Sequence, residues 1–268
     1  NVGMDIVLAL YFSMGVAGVA IATVVAQGVS VIGLWLHGKK HLACMQLQGQ
    51  DMQPDWHLIQ KICELGIPLA LQNAMASISG VVCQGIVNSF GSQVMSAYTI
   101  VCRLNEFFML PFGVMSITMA TYCGQNKGAR EYKRIKIGIW QALYITWAWC
   151  AFILVLSYTI SPQLVYLVTG TEISEIIDTA EKYLKINTIF YFVPAMICIL
   201  RNAMQGIGDL ITPIFSSFIE LIGKVAIAFF LTPSIGYMGI IVSEPIVWVL
   251  MVIPLIVKII RNPIFKNL

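Results

Sequence analysis

Apolar runs of about twenty residues follow one another along this chain, and its charges are confined largely to the gaps between them. A bilayer core of ~30 Å at 1.5 Å per residue needs about 20 consecutive apolar residues. The solvent around most of the chain is therefore lipid. Composition agrees: 58% of the residues are hydrophobic and 11% charged, against about 25% charged in soluble domains. A single-core soluble domain is excluded.

Breaking the runs at Gly, Pro and charge clusters gives a truncated helix near 1–12 and spans near 14–36, 61–88, 93–122, 137–160, 178–204, 210–232 and 236–260. The fold class expected is an all-α polytopic membrane helix bundle with about seven complete transmembrane helices and one truncated. The longest polar stretch, Gln46 to Pro54, marks the domain boundary, and Asp55 is suited to cap a helix starting at Trp56. The chain starts at Asn1 and enters an apolar run at once, so it reads as a fragment cut inside a helix.

Counting Lys and Arg on alternate sides puts Lys39, Lys40, Lys61, Lys127, Arg130, Lys133, Arg134, Lys136, Arg201, Lys258, Arg261 and Lys266 on one side. The opposite connections near 89–92, 161–177 and 233–235 hold none. By the positive-inside rule the C-terminus is expected in the cytoplasm of a plasma (inner) membrane protein. The cluster Lys127 to Lys136 is expected to set topology and to meet anionic headgroups. The net charge of +3 is small and dispersed, which argues against a nucleic-acid partner. The seven cysteines are scattered without metal-ligand spacing, so no metal, cofactor or disulfide framework is expected. Absence of H-E-x-x-H and G-x-S-x-G argues against an intramembrane enzyme.

Ionisable groups inside spans cost at least ~2.5–3.5 kcal/mol and mark candidate functional positions. Thr99, Arg103 and Glu106 share one helix face, with the ion pair at i,i+3 either lining a cavity or buried between helices. Glu220 and Lys224 should pair at i,i+4. Glu244 precedes Pro245, where a missing N–H can kink the helix. Glu106, Glu220 and Glu244 are the ion-coupling candidates. Asn73, Ser77, Gly80, Gln84 and Asn88 form one polar or small stripe that lines a wet cavity or packs closely on another helix. Phe107, Phe108, Met109, Met115, Tyr191 and Met196 suit an adaptable ligand surface, and the carbonyls freed by Pro111 and Pro194 are expected to face the same cavity. A faint repeat links Gly15-Val16-Ala17-Gly18 to Gly236-Tyr237-Met238-Gly239, each opening a span.

The segment Gly124-Gln125-Asn126-Lys127-Gly128-Ala129 resembles the G-Q-N-x-G-A cytoplasmic motif of multidrug and toxic compound extrusion (MATE) transporters. Gly66-Ile67-Pro68, Val87-Asn88-Ser89-Phe90-Gly91, Leu200-Arg201-Asn202, Gln205-Gly206-Ile207-Gly208-Asp209, Thr212-Pro213 and Glu244-Pro245 resemble the same family in order and spacing. A family member has twelve helices in two six-helix lobes. The resemblance implies that residues 1–45 end the first lobe, 46–57 are a cytoplasmic linker, 58–262 are the second six-helix lobe and 263–268 a cytoplasmic tail. It also implies export of drug-like or organic cation compounds in exchange for H⁺ or Na⁺ by a transporter that works as a monomer. Cavity-lining residues would then be Asn73, Ser77, Gln84, Asn88, Thr99, Arg103, Glu106 and Met109. Where some members carry a glutamate eight residues after Pro68, this chain has Ala76. The alternatives are a lipid-linked oligosaccharide flippase of the same superfamily and, in another class, a membrane receptor or scaffold without transport.

Overall fold

A computed structural model describes residues 1–41, 54–169 and 173–262, and every described element is helical. The chain forms α1 (Val2–Ile6) with a following π turn (Val7–Tyr11), α2 (Gly15–His41), α3 (Trp56–Asn88), α4 (Ser92–Gly128), α5 (Tyr132–Thr169), α6 (Ser174–Phe190), α7 (Phe192–Gly206), α8 (Ile211–Phe230), α9 (Thr232–Ile235) and α10 (Tyr237–Arg261). Five of these, α2, α3, α4, α5 and α10, are long and apolar enough to cross a membrane, and α6 with α7 makes a sixth, bent span. At 20 residues α8 reaches ~30 Å, long enough to cross as well. Most of the expected inter-lobe linker, residues 46–53, and the tail 263–268 lie outside the described residues.

Two compact units divide at Gln60 and Lys61. In the first, α1 and the π turn fold back on α2. In the second, α4 packs on α5, α6 and α7, while α10 packs on α6, α7 and α8. The interior is built from large residues such as Phe108, Phe112, Tyr183 and Tyr191, all almost fully buried. The outer faces of α2, α3 and α4 expose Val, Ile, Leu and Phe, as a lipid-facing surface does.

The repeat suspected from glycine spacing has a shared geometry. Gly15 and Gly236 open α2 and α10 with φ of +53° and +63°, a conformation that favours glycine. Three residues on, a side chain on Gly18 would collide with the backbone of Leu8 at 2.9 Å, and one on Gly239 with that of Thr232 at 2.9 Å. Each turn thus sets its helix tightly against the segment just before it.

Prolines act differently from one another. The helix α5 leaves helical geometry at Ile160, two residues before Pro162, because the proline ring and absent N–H disturb the preceding turn. The bend between α6 and α7 is 52°, and it falls at Tyr191, three residues before Pro194. Pro111, Pro245 and Pro254 lie inside unbroken helices.

Candidate functional site

Helical periodicity assembles a polar interior in the second unit. On α6, Tyr183, Asn187 and Tyr191 recur at four-residue steps and are fully buried. On α8, Ser216, Glu220 and Lys224 recur at the same step, Ser216 buried and the two charged residues partly so, and on α10 Tyr237, Glu244 and Trp248 share a face. From α4 come Tyr98, Cys102 and Asn105.

These faces meet. The Tyr98 and Tyr183 rings approach edge to face at 6.1 Å, Tyr183 stacks on Tyr237 at 6.5 Å, and Tyr191 meets Trp248 at 6.2 Å. The Tyr191 hydroxyl donates to Asn105 Oδ1. Among the described residues the Tyr183 and Tyr237 hydroxyls and Asn187 Oδ1 are buried without a protein partner.

Charges run beside this aromatic cage. Lys224 Nζ lies 3.3 Å from Glu220 Oε1, and only 13% of either side chain is exposed. Glu244, half-buried on α10, is within electrostatic reach of Lys224 and of the four tyrosines. Arg201, from α7, interacts with Glu220 and donates to Ser216 Oγ at 3.1 Å, whose own hydroxyl donates to the Met251 carbonyl at 3.0 Å. The order Arg201, Glu220, Lys224, Glu244 alternates in sign and links α7, α8 and α10. Buried charge survives only when compensated in this way.

The other expected residues are placed less centrally. Arg103 and Glu106 do pair, at 3.1 Å, but their side chains are 68% and 69% exposed, so the pair is not buried between helices of this unit. Thr99 is exposed on the same helix and Met109 half-buried. On α3, Gln84 donates to Asn88 Oδ1 at 2.9 Å, while Asn73, Ser77 and Gly80 are exposed. The face of α3 that enters the unit carries Ser79, Cys83 and Val87 instead, with Gln72 accepting from Gln205 of α7 at 2.8 Å. The expected ligand surface of aromatics and methionines does not converge: Phe107 is 63% exposed, Phe108 is core, and Met115 and Met196 line separate grooves. The indoles of Trp149 and Trp147 on α5 donate to the Phe108 and Phe192 carbonyls at 2.9 and 3.2 Å.

The Gly124–Ala129 segment is structural. Gly124 and Gly206 allow α4 and α7 to cross with backbones touching, and a Cβ on Gly206 would strike the Ala120 carbonyl. Asn126 Nδ2 donates to the Tyr122 carbonyl at 2.8 Å and the Glu131 N–H closes onto the Asn126 carbonyl at 2.8 Å. Ala129 donates to the Gln125 carbonyl at 3.0 Å, which ends α4 after Gly128. Lys127 was expected at headgroups; its ammonium instead caps the end of α7 through the Ile207 carbonyl. Asp209 caps α8 through Thr212 and pairs with Lys258 at 3.4 Å.

Known proteins share this fold. The MatE family model matches residues 68–230, more than half of the chain. The chain belongs to the MatE family. Among relatives of this MatE chain, the probable multidrug resistance protein YoeA of Bacillus subtilis (strain 168) is 24% identical over 223 residues, 82% of this chain and 48% of that protein. YpnP, a probable multidrug resistance protein of the same organism, is 31% identical over 125 residues, 46% of this chain and 27% of that protein. The chain therefore spans about half the length of the relatives it matches. A solved outward-facing multidrug resistance MATE family transporter superposes with a TM-score of 0.85 at 19% identity, covering 99% of this chain and 60% of that one. The Vibrio cholerae MATE transporter VcmN in its bent form gives 0.81 at 18% identity, covering 99% and 61%. These likenesses establish the fold: this MatE chain is a multi-pass, all-helical membrane protein.

Proposed function

We propose that the MatE chain is the second half of a secondary exporter that moves drug-like organic cations against a proton gradient, with coupling through Glu244, Lys224 and Glu220. The observation that carries this reading is the buried charge series itself. Glu220 on α8 holds the Lys224 ammonium at 3.3 Å, and Glu244 on α10 lies within its electrostatic reach. Protonating Glu244 hands Lys224 wholly to Glu220, and deprotonation draws it back, so the packing of α8 on α10 responds to one proton. The unpartnered hydroxyls of Tyr183 and Tyr237 and the Asn187 carbonyl oxygen offer donors and acceptors along the way. An ammonium at the centre repels Na⁺, which favours H⁺ as the coupling ion.

In this reading residues 58–262 form the second lobe, 1–45 close the first, and the C-terminus is cytoplasmic in an inner membrane. The complete transporter works as a monomer. The stripe Asn73, Ser77, Gln84, Asn88 and the exposed face of Thr99, Arg103, Glu106 and Met109 line the substrate cavity. Both Arg103 and Lys224 are already paired with carboxylates, which leaves little free positive charge for the pyrophosphate that a flippase would hold.

Ethidium efflux from drug-sensitive cells expressing the complete transporter tests this, with the proton and sodium gradients collapsed in turn. Efflux should depend on the proton gradient and fall at least tenfold in Glu244→Gln at equal membrane abundance. Efflux that follows the sodium gradient, or is unchanged in Glu244→Gln, refutes the coupling assignment.

A further inference from the structure

On its outer side the second unit carries a cleft of about 570 Å³ between α5, α7 and α10. One face of α5 supplies Lys136, Trp140, Leu143 and Trp147 at helical steps; Met196 of α7 and Ile256 of α10 form the opposite walls. From Lys136 to Trp147 the rise is ~16 Å, which equals one leaflet of a ~30 Å hydrocarbon core. The floor is apolar because the Trp147 N–H is already bonded to the Phe192 carbonyl. Lys136 is the one charged lining residue and has no carboxylate partner among the described residues. It sits one turn into α5, beside Lys133 and Arg134.

We infer that this cleft binds an anionic phospholipid of the cytoplasmic leaflet, with one acyl chain between α5, α7 and α10 and the phosphate on Lys136. The leaflet follows from the positive-inside orientation proposed above; the cleft does not depend on transport. A wholly apolar groove would accept any lipid tail, but an unpaired ammonium at its mouth selects a net negative headgroup. Basic pockets between helices on the cytoplasmic side are suited to such headgroups, with each Lys worth enough to change occupancy about fivefold. Trp140, stacked on Tyr144 at 6.1 Å, stands at the depth where aromatic rings meet the interface.

Native mass spectrometry of the complete transporter released from bilayers of phosphatidylglycerol and phosphatidylcholine with identical chains reads this directly. The wild type should retain phosphatidylglycerol in preference. Lys136→Gln should lower that retention about fivefold, Lys133→Gln should leave it unchanged, and Leu143→Trp, which fills the cleft, should abolish retention of both lipids. Equal retention of the two lipids by the wild type overturns the inference, as does a Lys133→Gln effect equal to that of Lys136→Gln. Retention of neither lipid means that another part of the transporter fills the cleft, and overturns it as well. Retention is measured without substrate or gradient, so its failure is distinct from a failure of efflux.

Discussion

Lys224 holds together a site that neither of its carboxylates can stabilise alone. Replacing it with Met takes from Glu220 the partner 3.3 Å away, and removal of one partner from a buried pair costs about 3–5 kcal/mol. Lys224→Met should therefore melt well below the wild type in detergent, Lys224→Arg should melt close to it, and Lys224→Met with Glu220→Gln should recover much of the loss. Thermal scanning of the purified transporter measures all three. The pairing of Glu220 with Lys224 and of Arg103 with Glu106 was legible in the sequence, because i,i+3 and i,i+4 spacing fixes proximity on a helix whatever surrounds it. What surrounds a pair is a tertiary matter: one proved buried and the other exposed. Of the tyrosine cage the sequence reading singled out only Tyr191, although Tyr183, Asn187 and Tyr191 repeat at four-residue steps, since in an apolar chain aromatic side chains at that spacing look like ordinary core.

At the scale of elements, the bend between α6 and α7 is held from outside. Cys150 Sγ approaches the Tyr191 carbonyl at 3.5 Å, Trp147 donates to the Phe192 carbonyl at 3.2 Å and the Tyr191 hydroxyl donates to Asn105. Restoring an N–H with Pro194→Ala should accordingly leave the bend in place, which a spin-label distance between the far ends of α6 and α7 would measure. Tyr191→Phe should cost about 0.6 kcal/mol, the mean for interhelical bonds in membranes, in a denaturation titration. Sequence reasoning read 178–204 as one span with a kink at Pro194. A proline disturbs the turn before it, and here the turn yields at Tyr191, where Trp147 and Cys150 of α5 meet backbone carbonyls and Asn105 of α4 accepts from the Tyr191 hydroxyl. Nothing local to the sequence of α6 announces those partners. By contrast the end expected for the fourth span, at 160, coincides with the break in α5 at Ile160, because Pro162 acts on its own helix.

For the whole molecule, the distribution of basic residues gives an orientation that labelling can check. A cysteine at Ser234, in the short α9 between α8 and α10, should react with an impermeant maleimide in intact cells. One at Ala129, between α4 and α5, should react only after lysis. Reversed labelling would invert the orientation and move the lipid cleft to the other leaflet. Span number and order were legible because bilayer thickness imposes a length on every apolar run. The glycine repeat was legible as spacing only; its meaning lay in positive φ and close backbone approach, which no single sequence displays.

The crossing of α4 and α7 at Gly206 behaves as a bearing. Sliding is blocked, since the Gly206 backbone rests on Ala120, Lys127 clamps the Ile207 carbonyl, and Asp209 is tied to Lys258. Tilting about the contact is resisted elsewhere, at the far end, where Trp147 and Cys150 hold the backbone beside Tyr191. The 15 residues of α7 reach ~22 Å beyond that point, so a tilt of about 5° carries the far end, next to Tyr191, by ~2 Å. If protons move at Glu220 and Glu244 as proposed, they act partway along this arm, where Arg201 donates to Ser216 of α8. A methyl group at the bearing, as in Gly206→Ala, would seize it, and a transporter so altered should still fold into the membrane yet turn over slowly.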